Sequence, residues 1–264
     1  MMLELGMFSW FGYQLSFERR LSLIRGAGFA STCLWLGSEE EEVRAGRADF
    51  MPSLVQENGL ILDNVHAPYS NCNKLWSASS TDVHEAFEEY RASLLFCRNH
   101  AVPIMVMHVT EGDDPPAFNA GGLSAIKELV GAAEGYGVRI AIENTRRFDY
   151  LDRIFSNLQS PGLGFCYDSS HDFMAGKSKG RLLQAWSDRL ATTHLSDSKQ
   201  GTVDDHLVPG DGTIDWPRMG DNLRQRKYQG TLMLEVAGGA GAPKQFLARC
   251  HTWLAEFRNS VSMK

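Results

Sequence analysis

The chain lacks any apolar run approaching the roughly 20 residues that a membrane-spanning helix requires, so we expect no membrane association. No basic stretch followed by an apolar segment occurs near Met1, and we therefore expect no signal peptide. The five cysteines form no CxxC pair and are odd in number, which opposes a disulfide framework. Reduced thiols are typical of the cytoplasm, where we expect the protein to reside.

An excess of basic charge is also missing. The chain has 26 Lys and Arg residues against 32 Asp and Glu residues, a formal net charge of −6 and a pI of about 5.8. This balance opposes a broad nucleic-acid surface but leaves room for a local basic groove. No Pro- or Gly-rich linker divides the 264 residues, which are long enough to bury one large core. We expect a single domain over residues 1–264.

What the chain does contain is a regular alternation of strand-like apolar runs and helical segments. In the helix predicted over Asp82–His100, Phe87, Leu94 and Leu95 lie near one face, with charges opposite. Strands separated by helices favour parallel pairing with right-handed crossovers, and eight such pairs predict an α/β protein with a (β/α)8 TIM barrel. The predicted strands are Leu3–Phe8, Phe29–Leu36, Leu60–His66, Ile104–Val109, Val138–Glu143, Leu163–Asp168, Leu190–Leu195 and Gly230–Val236. The predicted helices are Ser16–Gly26, Phe50–Asn58, Asp82–His100, Gly122–Gly135, Asp149–Leu158, Gly180–Asp188, Trp216–Gln225 and Pro243–Phe257.

A doubly wound open sheet is the competing fold. It predicts a Gly-rich phosphate-binding turn after the first strand, where this chain has Ser9, Trp10, Phe11 and Gly12. That turn does not fit, and the barrel is preferred.

Six of the apolar runs end in a carboxylate or an imidazole. A buried strand has no use for such a group unless its end opens onto a shared site, and functional groups of a barrel gather at the carboxyl ends of its strands. We therefore expect these six side chains to converge: His66, His108, Glu143, Asp168, His194 and Glu235.

Glu143, Asp168, His194 and Glu235 together offer three carboxylates and one imidazole. This mixed oxygen and nitrogen set suits Mn²⁺, Co²⁺, Mg²⁺ or Zn²⁺ with positions left for substrate oxygens. The alternative is that each residue is only a hydrogen-bonding group at a strand end. Glu143 and Glu235 are also candidate catalytic residues, since a carboxylate on each face of a cation-activated hydroxy-ketone can remove and return a proton.

In this order and on these strands, the motifs resemble the xylose-isomerase-like TIM-barrel superfamily, over nearly the whole chain from Leu3 to about Phe257. This superfamily contains sugar isomerases and epimerases, sugar-phosphate isomerase-like proteins and endonuclease IV. The resemblance implies one divalent cation on the four residues above, and homo-oligomers are common among its members. The motifs are His66 to Tyr69, His108, Glu143-Asn144, Asp168 to His171, His194 to Asp197, Asp204 to Gly212, and Glu235.

The resemblance to endonuclease IV implies further metal ligands. His66 and His108 would share Glu143 for a second ion, and His171 would join Asp204 and His206 around a third. Histidines in an active site also bind substrate hydroxyls without binding metal, so one ion and two or three ions both remain open.

Three features oppose a nuclease. Glu39 to Glu42 would repel a phosphate backbone if that loop faces the mouth of the barrel. Asp205 replaces an arginine of the endonucleases, and polar residues after Tyr69 replace their apolar run. The sequence therefore favours a metal-dependent isomerase or epimerase of a small sugar, sugar acid or sugar phosphate. A zinc phosphodiesterase and a metal-containing binding protein without turnover are the alternatives.

Several other residues are candidates for substrate binding. Trp10 and Trp35 can cover the C–H face of a sugar or can cap the core, and Tyr69 belongs to the His66 motif. Asn144 can orient substrate or Glu143, and Arg146, with its neighbour Arg147, can bind a carboxylate or phosphate. Lys199 stands near the position where ketose 3-epimerases of the superfamily carry an arginine. A small basic group is formed by Lys177, Lys179 and Arg181. This group can bind a phosphate, or it can simply be solvated.

Overall fold

Eight parallel strands close into a barrel, in which β1 pairs with both β2 and β8. The computed structural model describes residues 3–174, 180–199, 203–239 and 241–262, so Lys177 and Lys179 lie outside the described residues. The closed ring of eight parallel strands confirms the (β/α)8 barrel that was predicted from the alternation of strands and helices. The strands are β1 (Leu5–Phe8), β2 (Ser31–Trp35), β3 (Ile61–His66), β4 (Ile104–Met107), β5 (Arg139–Glu143), β6 (Leu163–Asp168), β7 (Leu190–Leu195) and β8 (Leu232–Leu234).

Helices follow the strands and cover the outside of the barrel. Within the described residues they are α1 (Phe17–Gly26), α2 (Glu41–Arg44), α3 (Met51–Glu57), α4 (Ser80–Asn99), α5 (Ala120–Tyr136), α6 (Phe148–Asn157), α7 (Ser169–Met174), α8 (Arg181–Trp186), α9 (Trp216–Gln225) and α10 (Pro243–Ser262). Among these helices, none is both long and apolar enough to cross a bilayer.

The differences from the predicted elements lie at their ends. The short helices α2 and α7 were not predicted, because four to six residues are too few to show a helical period. β8 is shorter than the predicted Gly230–Val236, since an apolar run does not show where ladder pairing stops. α4 begins before Asp82 because the Ser79 side chain accepts a hydrogen bond from the Asp82 amide and caps the helix.

The core divides into an outer layer and a lumen. Apolar side chains on the outer faces of the strands pack against the helices in one large cluster. Inside the barrel, two small groups of buried side chains lie below the strand ends: Phe8, Cys33 and Met233, and Val106, Ala141 and Cys166. This packing keeps the strands in register and delivers their last residues to one mouth.

Candidate metal centre

Glu143, the last residue of β5, lies in the middle of a group of buried histidines. Its Oε2 is 2.9 Å from His194 Nδ1 and 3.3 Å from His66 Nε2. Its Oε1 is 3.3 Å from His108 Nε2 and 3.1 Å from His171 Nδ1. Four strand or loop ends therefore meet at one carboxylate, as convergence at the barrel mouth requires.

The four residues expected to hold one cation are close together. Ligand atoms of Glu143, Asp168, His194 and Glu235 all lie within 4.8 Å of one another. His194 Nδ1 is 2.9 Å from an oxygen of Glu143 and also 2.9 Å from an oxygen of Glu235, yet it makes no well-directed hydrogen bond to either. Asp168 Oδ2 is buried without a hydrogen-bond partner. Unpaired buried donors and acceptors of this kind are costly, and atoms that point at a common space instead of at each other fit a divalent cation.

Asp168 is held by the start of α7. Its Oδ1 accepts a hydrogen bond from the His171 amide at 2.6 Å and lies 3.1 Å from the Ser170 hydroxyl. A carboxylate that caps a helix in this way uses one oxygen and is fixed in direction. The other oxygen is left to face the centre.

The loop after β7 brings Asp204 and His206 to the same mouth. Asp204 Oδ2 is 3.1 Å from His171 Nε2 and 3.0 Å from His206 Nε2. His206 has a φ of 44°, a left-handed conformation that is unfavourable for a residue with a Cβ. Backbone strain of this kind persists where surrounding contacts enforce it, which is common at functional sites.

Three of the histidines share one arrangement of their ring nitrogens. The Nδ1–H of His66 donates to the Ala67 carbonyl oxygen at 2.7 Å, and that of His206 donates to the Glu235 carbonyl oxygen at 3.0 Å. His171 Nδ1 lies 3.0 Å from the Asn144 carbonyl oxygen. Since a carbonyl can only accept, each Nε2 is left as the nitrogen able to bind a cation, which is the usual arrangement of metal-binding histidines.

Glu111 gives His108 a similar arrangement, with an acceptor at Nδ1. This residue was not identified from the sequence. Its Oε2 lies 3.5 Å from His108 Nδ1, while His108 Nε2 faces Glu143. Asn73 fixes the Glu111 backbone, donating to its carbonyl oxygen at 2.9 Å and accepting from its amide at 3.0 Å. The available signal was its place three residues after a strand-end histidine.

The charges of the centre are strongly coupled. Burial alone raises the pKa of Glu143, but the imidazoles of His194 and His108 outweigh it and hold that pKa well below its usual value. Burial lowers the pKa of His108, and Glu143 and Glu111 reverse this and raise it to about 9. Burial raises the pKa of Asp168 to about 7, against the opposing effect of His171. In the absence of a cation, the imidazoles are therefore the positive charges that balance this carboxylate cluster.

Aromatic side chains form one wall of the mouth. The Trp35 ring centroid is 5.1 Å from those of both His66 and Tyr69, and Tyr69 stacks on His108 at 4.8 Å. Trp10 is partly exposed and lies over Arg20, with 5.2 Å between the guanidinium carbon and the ring centroid. The structure thus brings Trp35 and Tyr69 to the candidate metal centre, whereas Trp10 packs on Arg20.

Asn144 directly follows Glu143 and is buried instead of lying on the surface of the mouth. It is fully buried, and both ends of its side-chain amide bond the backbone of Asp168 at 2.8 Å. This geometry indicates that Asn144 orients Asp168, because both polar ends of its buried side chain are engaged by the Asp168 backbone.

The candidate anion-binding residues are engaged by carboxylates. Arg146 Nη1 is 3.0 Å from Asp113, and Arg147 Nε is 2.9 Å from Asp149. Arg181 pairs with Asp152 at 3.1 Å. The Lys199 side chain is exposed, and its backbone amide donates to an Asp205 oxygen at 3.0 Å.

The acidic run after β2 is not a uniform repulsive surface. Glu40 is buried and forms a 2.6 Å ion pair with Arg20, and Glu42 pairs with Arg47 at 2.7 Å. Glu39 accepts a hydrogen bond from the Trp35 indole at 3.2 Å. Two of the four charges are therefore neutralised locally, which weakens the repulsion of a phosphate backbone that was expected if this loop faces the mouth.

A separate groove lies on the outer surface between α4 and α5. Its lining includes Val83, Phe87, Phe118 and the edge of Trp76. It contains none of the ligand-type residues of the mouth. Of the described residues, the cluster that could hold a cation is therefore the one at the barrel mouth.

Comparison with known proteins agrees with this geometry. A family model described as "Xylose isomerase-like TIM barrel" matches residues 21–256. The "Inosose isomerase" of Bacillus licheniformis is 23% identical over 170 residues, 58% of this chain and 60% of that protein. An uncharacterized protein, y4fM, of Sinorhizobium fredii is 37% identical over 105 residues, which cover 38% of this chain and 33% of that protein. The chain thus spans between a third and two thirds of the length of these two relatives.

Among solved structures, D-psicose 3-epimerase from Clostridium cellulolyticum H10 superposes with a TM-score of 0.77 at 17% identity. The match covers 98% of this chain and 99% of that one, and at this identity it shows a shared fold. The family model spans most of the chain and the barrel is closed with its ligand-type residues at one mouth. The chain belongs to the xylose isomerase-like TIM-barrel family.

Proposed function

We propose that the protein is a divalent-cation-dependent isomerase or epimerase of a small sugar or sugar derivative. The observation that carries this proposal is the position of His194 Nδ1, which is 2.9 Å from oxygens of both Glu143 and Glu235. Together with Asp168 these residues form a buried donor set of three carboxylates and one imidazole. A divalent cation held there supplies polarisation of a substrate carbonyl, which acidifies the neighbouring C–H bond.

Glu143 and Glu235 are the residues that we assign to proton transfer. Burial raises the pKa of Glu235, but His194 and His206 together lower it below its usual value; the pKa of Glu143 is also lowered. Both carboxylates are thus ionised at neutral pH, which is the form that accepts a proton. Glu143 is enclosed, whereas the Glu235 side chain is 21% exposed and faces the opening. We assign to this pair the removal of a proton by one carboxylate and its return by the other on the opposite face of the substrate.

The surroundings favour an uncharged sugar over a phosphorylated one. The described arginines that the sequence suggested for a phosphate, Arg146, Arg147 and Arg181, each pair with an aspartate. Trp35 and Tyr69 offer the flat apolar surface that suits the C–H face of a sugar. The named activities of inosose isomerase and of D-psicose 3-epimerase support the same class of reaction.

Proton exchange tests the proposal directly. The purified protein is loaded with Mn²⁺, Co²⁺, Mg²⁺ or Zn²⁺ and incubated in deuterated water with D-psicose, D-tagatose, L-ribulose, inosose and a phosphorylated ketose. We expect deuterium to enter at the carbon beside the carbonyl of one of these sugars. NMR measures the rate of this exchange.

Glu143→Gln and Glu235→Gln should each slow this exchange about 10²–10⁴-fold, as loss of a general base does. Glu128→Gln, on the exposed surface of α5, is the matched control and should leave the rate unchanged. Unchanged exchange in Glu143→Gln removes that residue from the mechanism. Absence of exchange from every ketose contradicts the proposal.

A zinc phosphodiesterase is the second candidate, and one observation favours it. His66, His108 and Glu143 form another group of ligand atoms within 4.8 Å, and Asp204 joins His171 and His206 nearby. All nine implied ligands therefore gather at the mouth, as a multinuclear centre requires. Two to three bound zinc ions per chain with cleavage of an abasic duplex, and no exchange from ketoses, would establish this function instead.

A further inference from the structure

Two cysteine thiols lie in the lumen directly beneath the metal centre. Cys166 on β6 stands two residues before Asp168, so its side chain points to the same inner face of the barrel. Cys33 on β2 reaches the same region, and both thiols lie within hydrogen-bonding reach of His194. Both are completely buried.

Cys166 also contacts the carboxylate at the middle of the centre. Its Sγ is 4.0 Å from Glu143 Oε2, and ligand atoms of Glu143, Cys166 and His194 all lie within 4.8 Å of one another. Tetrahedral bonds of about 2.0 Å to oxygen and about 2.3 Å to sulfur place two donor atoms roughly 3.5 Å apart. A shift of about half an ångström therefore brings the observed pair to bonding geometry around one ion.

A second observation independently points to a ligand here. Neither ring nitrogen of His194 has a well-directed hydrogen bond, although the residue is fully buried. The same holds for Asp168 Oδ2 above it. His194 belongs to two ligand groups, one that is completed by the oxygens of Asp168 and Glu235 and one that is completed by the thiol of Cys166.

We propose that Cys166 is a sulfur donor of the metal centre, which gives the centre two alternative cation positions. The outer position is formed by Glu143, Asp168, His194 and Glu235 and suits Mn²⁺ or Mg²⁺. The inner position is formed by Glu143, Cys166 and His194 and takes thiophilic ions such as Zn²⁺, Cd²⁺ or Co²⁺. When such an ion binds, the thiol loses its proton to solvent and an S–metal bond forms without change of oxidation state.

The two positions exclude each other. Glu143 and His194 belong to both ligand groups, and two cations that shared both residues would repel each other at short range. A thiophilic ion in the inner position therefore removes two ligands from the outer one. The ratio of soft to hard cations in the medium would thus decide which position is filled.

Cobalt loading of the full-length protein tests the sulfur donor without any assay of turnover. Bound Co²⁺ shows visible d–d bands with any ligands, whereas a thiolate-to-cobalt charge-transfer band in the near ultraviolet requires a direct Co–S bond. We expect both kinds of band in the native protein. In Cys166→Ser the charge-transfer band should be lost and the d–d bands retained.

Cys33→Ser is the matched control, because Cys33 reaches His194 but does not belong to a ligand group with Glu143. It should retain the charge-transfer band. In competition between Cd²⁺ and Mn²⁺, Cys166→Ser should lower the preference for Cd²⁺ by about tenfold or more, in line with the loss of a ligand-shell contact. Circular dichroism verifies that each variant is folded.

The inference rests on the cation centre of the proposed function, and its failure is distinguishable. If the native protein shows d–d bands but no charge-transfer band, Cys166 is not a sulfur donor, whereas the outer position is unaffected. This outcome can be read from the native protein alone. Persistence of the band in folded Cys166→Ser also overturns it. Failure of Co²⁺ to bind at all contradicts both the sulfur donor and the proposed function.

Discussion

The side-chain amide of Asn144 bonds both backbone polar groups of Asp168. Its Nδ2 donates to the Asp168 carbonyl oxygen at 2.8 Å, and its Oδ1 accepts from the Asp168 amide at 2.8 Å. Asn144 directly follows Glu143, so one buried amide sets the spacing of two candidate ligands on neighbouring strands. The ladder between β5 and β6 pairs Glu143 with Cys166. The two hydrogen bonds of the Asn144 side chain continue the pairing of the two strands past that point.

Asn144→Ala should therefore weaken both the fold and the centre. It leaves a buried N–H and C=O unpaired, which lowers the free energy of unfolding by about 1–3 kcal/mol. Because Asp168 loses its orientation, cation affinity should fall about 10–100-fold. Urea unfolding and calorimetric titration with Mn²⁺ measure the two effects. Asn157→Ala, on the exposed end of α6, is the control and should change stability by less than about 0.5 kcal/mol. Unchanged affinity in Asn144→Ala would show that Asp168 is oriented by other contacts.

Glu111 should stabilise ion binding on the His66–His108 side of the centre. Glu111→Ala removes the carboxylate 3.5 Å from His108 Nδ1, so the ring loses the partner that fixes its orientation. We expect affinity for a second cation to fall about 10–100-fold while the first is retained, measured by titration with Zn²⁺. Glu111→Gln keeps an acceptor and should restore part of this affinity. Asp114→Ala, exposed in the same loop, should have no effect. Equal binding in all three variants contradicts the role of Glu111.

Asp197 should be essential for the loop that carries Asp204 and His206. Its buried carboxylate accepts from the backbone amides of Gly210 at 2.7 Å and Ile214 at 3.1 Å. It also accepts from the Trp216 indole at 2.8 Å. Asp197→Ala should destabilise the protein by about 3 kcal/mol or more, since several charge-assisted hydrogen bonds are lost. Asp221→Ala removes only an exposed ion pair and serves as the control.

Hydrogen exchange locates the Asp197 effect. The amides of residues 210 and 214 should exchange faster in Asp197→Ala than in the native protein. Gly212 packs directly against the Asp197 carboxylate, where a Cβ would clash with Oδ1. A stability loss no larger than that of Asp221→Ala would show that the loop does not depend on Asp197.

Cation binding at pH 7 should release protons. Burial lowers the pKa of His108 and His206, but their carboxylate partners raise these pKa values to about 9 and about 10. Burial also lowers the pKa of His194, the imidazole of the proposed donor set, but Cys166, Glu143 and Glu235 raise that pKa well above its usual value. All three rings are therefore protonated at pH 7 in the cation-free protein, and each must lose a proton to become a ligand. Calorimetric titration in buffers of different ionisation enthalpy counts the protons released. The count should fall, and the affinity should rise, as the pH increases from 7 towards 10. His251→Gln, away from the centre, should leave the count unchanged, and a count of zero at pH 7 contradicts the prediction.

The same shifts fix the sign of the pH effect on stability. Groups whose pKa is raised on folding contribute stability that is fully present below the unfolded value of about 6.5. For His108 and His206 this contribution is lost as the pH rises through about 9 to 10. The chelator-treated protein should therefore lose stability between pH 7 and 10. The rise in Tm on adding Mn²⁺ should be larger at pH 9 than at pH 7.

The barrel and the convergence of its strand ends were predictable from the sequence by itself. Alternating apolar periods predict strands and helices in turn, and parallel strands joined by helices place all their carboxyl ends on one face. Residues that end a strand, such as Glu143 and Asp168, are therefore neighbours wherever they stand along the chain. Local periodicity is sufficient for that inference, because it does not depend on side-chain conformation.

Only the tertiary structure decided which groups face the site and which are used elsewhere. Glu40 forms a buried ion pair with Arg20, Asn144 bonds a backbone instead of a ligand in the mouth, and Glu111 is brought to His108 by Asn73. These outcomes depend on loop paths and side-chain directions between residues distant in the chain. Hydrogen bonding and ion pairing act only over a few ångströms, so their partners are determined after the backbone has brought them together.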